Sequence, residues 1–236
     1  MQIPKLQNIT ESDKGFTLIE LLVVIGVLGI LLAITLIAIN PNKHFQDARN
    51  TQRSSNVGEF LNAIYEYESA NTGNVPPSLT NMGTTALPLG KAPTFSSTNT
   101  TFASPPALVY TGLTSNTITT GTVLVNSCSN SADNGEYPVT AGNGTTLTVT
   151  NAGGAAGATG CVISTKIDMC SDLTTIYIAD LPKDPSTGSV TGGSTPCAGG
   201  VTAYDTGYTL TKTASGSRFT IAAPAAEDSA TISVTR

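Results

Sequence analysis

Charge is scarce in this chain. Asp, Glu, Lys and Arg make up 11% of its 236 residues, against about 25% in typical globular proteins. Thr, Ser, Asn and Gly fill the gap, a composition that suits an exposed β-rich surface or long loops outside the cell. Histidine is reduced to one residue, His44, which argues against a serine–histidine or cysteine–histidine site in the body of the protein. The chain also has no Gly-x-Ser-x-Gly, no P-loop, no His-Glu-x-x-His and no Gly-x-Gly-x-x-Gly opening a helix. Neither an enzyme nor a resident cofactor is expected. The cysteines include no Cys-x-x-Cys pair, so an ordinary zinc site is not expected either. A formal net charge of −5 argues against broad nucleic-acid binding, which favours clustered Lys and Arg. A small basic patch is still compatible with that charge.

What the chain does have is one long apolar run. From Phe16 to Ile39 the only ionisable side chain is Glu20. At about 1.5 Å per residue a helix over this run spans about 36 Å, enough to cross a bilayer with some tilt. Gly26 and Gly29 lie within it, small residues of the kind that let helices approach closely in lipid. An acid near the start of such a helix costs roughly 2.5–3.5 kcal/mol on insertion, so Glu20 needs a partner. Cutting the chain between Gly15 and Phe16 would supply one: a free amine, cationic near neutral pH, which on a neighbouring copy could pair with Glu20. An ordinary signal peptide carries its cleavage site after the apolar stretch. Here the small residue precedes it, so residues 1–15 read as a leader to be removed and the apolar helix is retained. Lys5 and Lys14 precede the segment while Lys43, Arg49 and Arg53 follow it, so loop charge alone does not orient it. The processing motif decides the orientation.

Gly15-Phe16-Thr17-Leu18-Ile19-Glu20 followed by the apolar run resembles the processing site of type IV prepilins and of the pseudopilins of type II secretion. The likeness extends over Lys14 to Gly73. It implies that a prepilin peptidase cleaves after Gly15 and methylates Phe16, and that Glu20 is the glutamate used in assembly. It further implies a single-pass precursor in the cytoplasmic membrane, an inner-membrane assembly platform, and a homo-oligomeric extracellular filament. The implied function is that of a structural subunit of a type IV pilus-like filament. The alternatives are a pseudopilin of a secretion system and a minor pilin that binds a ligand such as DNA.

The fold class expected is α+β and type IV pilin-like, a long N-terminal helix packed on an antiparallel sheet. Residues 16–39 form its membrane half. Residues 40–73 form an amphipathic half, with Phe45, Ala48, Val57, Phe60, Leu61 and Ile64 at helical spacing and Lys43, Asp47, Arg49, Arg53, Glu59, Glu66 and Glu68 between them. The spacing predicts one helix from Phe16 to Ala70, in which Pro41 either kinks the helix or caps a second one. Residues 74–236 form an exported β-rich head. Strands are expected at 107–110, 122–125, 146–150, 175–178 and 231–235, with a hairpin joining 208–212 to 218–222. Residues 74–106 and 151–160 read as loops.

Cys128, Cys161, Cys170 and Cys197 all lie in this head, and export favours two disulfides. Three pairings are open. Cys128–Cys161 with Cys170–Cys197 closes two loops of about 30 residues. Asp168, Asp172, Asp180 and Asp184 invite comparison with the calcium loop of major pseudopilins. No EF-hand spacing accompanies them, and solvated loop acids are the preferred reading. Tyr65 and Tyr67 read as core or interface residues, and His44 as solvated or helix-packing.

Overall fold

The computed structural model describes residues 15–104, 106–216 and 218–236. Of the expected leader, residues 1–14, including Lys5 and Lys14, lie outside the described residues. The chain divides into a first unit ending at Phe45 and a second running from Gln46 to Arg236.

The first unit is built on α1, Leu18–Ile39, none of whose residues is buried. By length and composition it can cross a membrane. Its leucines, isoleucines and valines are more than half exposed throughout, Ile37 at 83%, so the described residues offer them no core. The helix stops at Asn40, which takes a left-handed conformation (φ 42°), and α2, Pro41–Ala70, begins at the next residue. The long N-terminal helix therefore has one interruption. A residue before proline is pushed out of the helical region, Asn tolerates the left-handed one, and Pro41 sits at the first helical position, where its missing N–H costs nothing.

In the second unit, which we call the head, α2 buries Arg53, Asn56, Val57, Phe60, Leu61, Ala63 and Ile64. Their spacing of three and four residues makes one face. The expected stripe is shorter than its sequence pattern, because Phe45 and Ala48 are exposed.

The buried face packs in one core with an antiparallel sheet made of β1 (Leu87–Lys91), β9 (Ser189–Thr191), β10 (Ala203–Lys212), β11 (Phe219–Ala222) and β12 (Ser233–Thr235). β10 alternates buried and half-buried residues along its length up to Leu210, as a strand with one face on a core must. The expected hairpin is present, with Lys212 opposite Phe219. Phe60 meets Tyr208 edge-on at 5.6 Å between ring centroids. β1 was expected to be loop, since Pro88 and Gly90 disguise it. Gly90 sits at a bulge, where a Cβ would lie 2.5 Å from the Tyr204 carbonyl oxygen.

A second sheet lies between β1 and a short helix, α3 (Cys170–Leu173). It contains β2 (Phe95–Ser97), β3 (Asn99–Ser104), β4 (Ala107–Thr111), β5 (Thr122–Asn126), β6 (Gly135–Gly142), β7 (Thr146–Thr150) and β8 (Cys161–Ser164), in the order β2-β8-β5-β6-β7-β4-β3. The two end strands are consecutive in the chain, separated only by Thr98. Thr98 N donates to Thr111 O at 3.0 Å, and Gly160 N donates to Ser97 O at 3.2 Å. The sheet thus curls on itself as a small barrel, closed by one bent strand. Its interior holds Leu108, Tyr110, Val123, Val125, Leu147, Val149 and Ile163. Leu124, between two barrel residues, points the other way into the α2 core, so β5 is buried on both faces. At the base of the barrel, Gly90 N donates to Ile167 O and Ile167 N to Pro88 O, both at 2.9 Å.

The disulfides are Cys128–Cys161 and Cys170–Cys197. The first ties the exit of β5 to the start of β8, and the second ties α3 to the loop before β10. Each closed loop of about 30 residues is worth roughly 3–4 kcal/mol in the chain-entropy model. Residues 175–178 are not a strand. Thr175 has φ 70°, and Tyr177 N and Ile178 N both donate back to Leu173 O, which turns the backbone under α3.

Arg53, expected on the polar face of α2, is fully buried. Its Nε donates to Asp184 Oδ2 at 2.6 Å and its Nη2 to Asp184 Oδ1 at 3.2 Å. Asn50 and Ser186 also accept from it, at 2.9 and 2.6 Å. Glu227 stands 3.4 Å away and is held bidentately by Arg49 at 2.8 and 2.9 Å. Burial pushes the Asp184 carboxyl up, but the donors on Arg53, Ser186 and Thr187 outweigh it and hold the carboxyl well below the usual range. Removing one partner of such a pair strands the other charge. Asp184→Ala is therefore expected to lower the unfolding free energy of the full chain in detergent by about 3 kcal/mol, the low end of the usual cost because Asn50, Ser186 and Glu227 still accept from Arg53. The native contribution is complete above the unfolded carboxyl value of about 3.9 and fades as pH falls below it. Chemical denaturation at pH 7 and at pH 3 should show the gap between native and variant shrinking at the lower pH.

Candidate assembly site

The candidate site is the N-terminal end of α1. Thr17 takes extended φ and ψ and caps the helix. Its Oγ1 accepts from Glu20 N at 3.3 Å. In return, Glu20 Oε2 accepts from Thr17 N at 3.0 Å and from Thr17 Oγ1 at 2.9 Å. This is a reciprocal capping box, with Thr at the cap and Glu three residues on. The acid thus sits in the first turn, where the helix dipole favours negative charge. Within its own chain Glu20 already has two donors, in addition to the amine expected of a neighbour. The signal for this was present in the sequence as Thr17-x-x-Glu20.

Phe16 precedes the cap, is 86% exposed, and lines an open hollow with Glu20, Leu21 and Val24. Gly15 precedes it, and both residues lie outside the helix. Gly26 and Gly29 face open space, and a Cβ at either would meet nothing within 4 Å. Within one chain these glycines serve no close approach, and the flat surface they leave is available to a second helix.

The other candidate residues do not gather. Asp168 accepts from Cys170 N at 3.0 Å and Tyr204 Oη at 2.8 Å. Asp172 accepts from Ser78 N at 2.9 Å. Asp180 accepts from Leu181 N and Cys197 N at 2.7 and 3.0 Å, and Asp184 is taken by Arg53. Each carboxylate closes its own loop, and among the described residues no group of three or more His, Cys, Asp or Glu could hold a metal. The calcium reading of these acids therefore has no ligand set. His44 is exposed. Tyr65 and Tyr67 are half-buried against the α2 core, Tyr67 edge-on to Tyr177 at 5.4 Å. Sequence reasoning missed Arg53 as a structural residue. Its position four before Val57 and seven before Phe60 was the available signal.

Residues 12–36 match the prokaryotic N-terminal methylation motif, which is characteristic of type IV pilins and pseudopilins. No curated protein and no solved structure matches the chain. The motif and the apolar helix fit anchoring in a membrane before assembly.

Thr17→Ala removes one half of the capping box and is expected to weaken the first turn of α1 by about 1 kcal/mol. Hydrogen exchange in micelles should show the Glu20 amide exchanging about fivefold faster, with the amides near Val27 unchanged.

Proposed function

We propose that the chain is a structural subunit of a type IV pilus-like filament. It is inserted as a single-pass precursor, cleaved between Gly15 and Phe16 by a prepilin peptidase, N-methylated at Phe16 and added to the filament by an inner-membrane platform. The observation that carries this reading is α1 itself. Among the described residues none buries an apolar side chain of the helix, and the single acid stands one turn from the proposed cut.

Physically the step is a transfer of α1 from lipid to protein. Acyl chains solvate the helix before assembly, and copies of the same helix replace them after it. The hydrophobic cost of the two states is similar, so packing and polar contacts decide the balance. Cleavage releases an α-amine with an ordinary value of about 7.7–8.0, cationic near neutral pH. On a neighbouring subunit this amine supplies the charge that Glu20 lacks. Before cleavage, the Thr17 donors lower the cost of holding an acid at the membrane threshold. After assembly, the neighbour's amine pairs with the same carboxylate and sets the axial register. The pseudopilin alternative shares the same motif; a bound calcium would favour it, and the four loop acids do not form a ligand set.

Two measurements test the reading. Intact-mass and terminal-peptide analysis of native material should give a mature chain starting at methylated Phe16. A mature terminus at Met1, or one beyond Ile39, would end the proposal. Glu20→Gln keeps the cap, since Gln serves at that position as Glu does, but removes the charge. Insertion and cleavage should persist while filament yield falls at least about tenfold, as expected when a charged hydrogen bond worth about 1.5–3 kcal/mol is lost per subunit. Normal yield from this variant would rule out the charge pairing.

A further inference from the structure

The two edges of α2 on the head surface differ, and each lacks what the other has. Along one edge Glu59 and Glu66 stand with Ser55 and Asn62 over a hollow closed by Tyr177 and Ile178. Both carboxylates are exposed, and neither has an ion-pair or hydrogen-bond partner among the described residues. Beside this hollow lies Ile176, 77% exposed and the most exposed large apolar side chain of the head.

Along the other edge Arg218 and Arg236 stand with Tyr65 and Thr235 around a second hollow. Arg236 reaches across α2 to the first edge, where Asn62 Oδ1 accepts from it at 2.8 Å. The Arg218 guanidinium is exposed and has no partner among the described residues. The Tyr65 hydroxyl is buried here and makes no hydrogen bond among the described residues. Burial pushes its pKa up and Glu68 adds to this, while Arg218 and Arg236 pull the other way. Two exposed guanidiniums around one hollow are what an incoming carboxylate pairs with through charge-assisted hydrogen bonds.

We propose that these edges are two halves of one contact between copies of this chain. The Arg218–Arg236–Tyr65 edge of one head receives Glu59 and Glu66 of the next, with Ile176 adding an apolar contact. Set in a filament, the contact repeats from each copy to the next and is heterologous, whereas the same two patches closing on each other reciprocally would give a two-fold dimer. A ladder of multimers distinguishes the propagating contact from a dimer band alone. Contacts of this kind select register and partner more than they add strength. The inference rests on the filament reading for its setting, and concerns a surface that reading does not use.

The test uses the full chain in its native host. Arg218→Glu and Glu66→Arg should each lower the sheared filament fraction about three- to tenfold, and the two together should recover it to within about twofold. A second variant, Arg218→Lys, places an amine on the basic edge. Zero-length carbodiimide coupling on whole cells should then give a ladder of multimers, with the introduced amine joined to Glu59 or Glu66 of another copy. That ladder is expected wherever copies meet, in the membrane or in filaments. A ladder without filaments would sink the filament reading and keep this contact. Filaments without a ladder would sink the contact alone. Loss of DNA retention in Arg218→Glu with normal filaments and no charge-swap rescue would assign the basic edge to nucleic acid and overturn the proposal.

Discussion

A helix that is apolar on every side must find its solvent outside its own chain. That constraint governs everything at the N-terminal end of this protein. It accounts for the lack of any buried residue in α1, for the tolerance of two glycines that touch nothing, and for the weight that falls on one carboxylate. Glu20 cannot be left bare in lipid. The capping box gives it two donors within its own first turn. A site can be chemically simple, one acid and one terminus, when the surroundings remove every competing option.

The head follows the opposite rule. There α2 is amphipathic, and its apolar face completes a core that the open sheet could not close alone. The burial of Arg53 inside that face is the exception that locks the arrangement. It ties α2 to the Asp184 loop and, through Arg49 and Glu227, to the segment after β11. Apolar packing would accept several rotations of α2. A buried guanidinium with four acceptors accepts one geometry, because any other leaves a charge unpaired in a dry core.

The sequence made the N-terminal end legible because its signals are local. A small residue, an aromatic, an acid and a spanning run lie within one stretch of chain. Strands β4, β5 and β7 and the β10–β11 hairpin were legible for the same reason, since alternation and turns are short-range patterns. What remained hidden depends on distant pairing. Arg53 and Asp184 are 131 residues apart, and an arginine on an amphipathic helix reads as solvated until its partner is known. The barrel was invisible because its closure joins Phe95–Ser97 to Cys161–Ser164, across chain that carries no repeat. β1 was disguised by Pro88 and Gly90. Residues 175–178 erred in the other direction, a β-branched run that α3 draws into a turn.

The base of the barrel has a mechanical consequence. The chain leaves the open sheet at Lys91 and returns at Ile167, and these two stems are stitched together by the paired bonds between Pro88, Gly90 and Ile167. α2 is held chiefly by the open sheet and the Arg53 tie, with Leu124 the barrel residue in its core. Besides that seam the barrel meets the rest of the head through Leu124 in the α2 core and through Glu136, whose carboxylate accepts from Gly83 N and Thr85 N. Its loops at 112–121, 143–145 and 151–160 supply no residue to the α2 core, so they can be lengthened or exchanged without loosening the Arg53 tie.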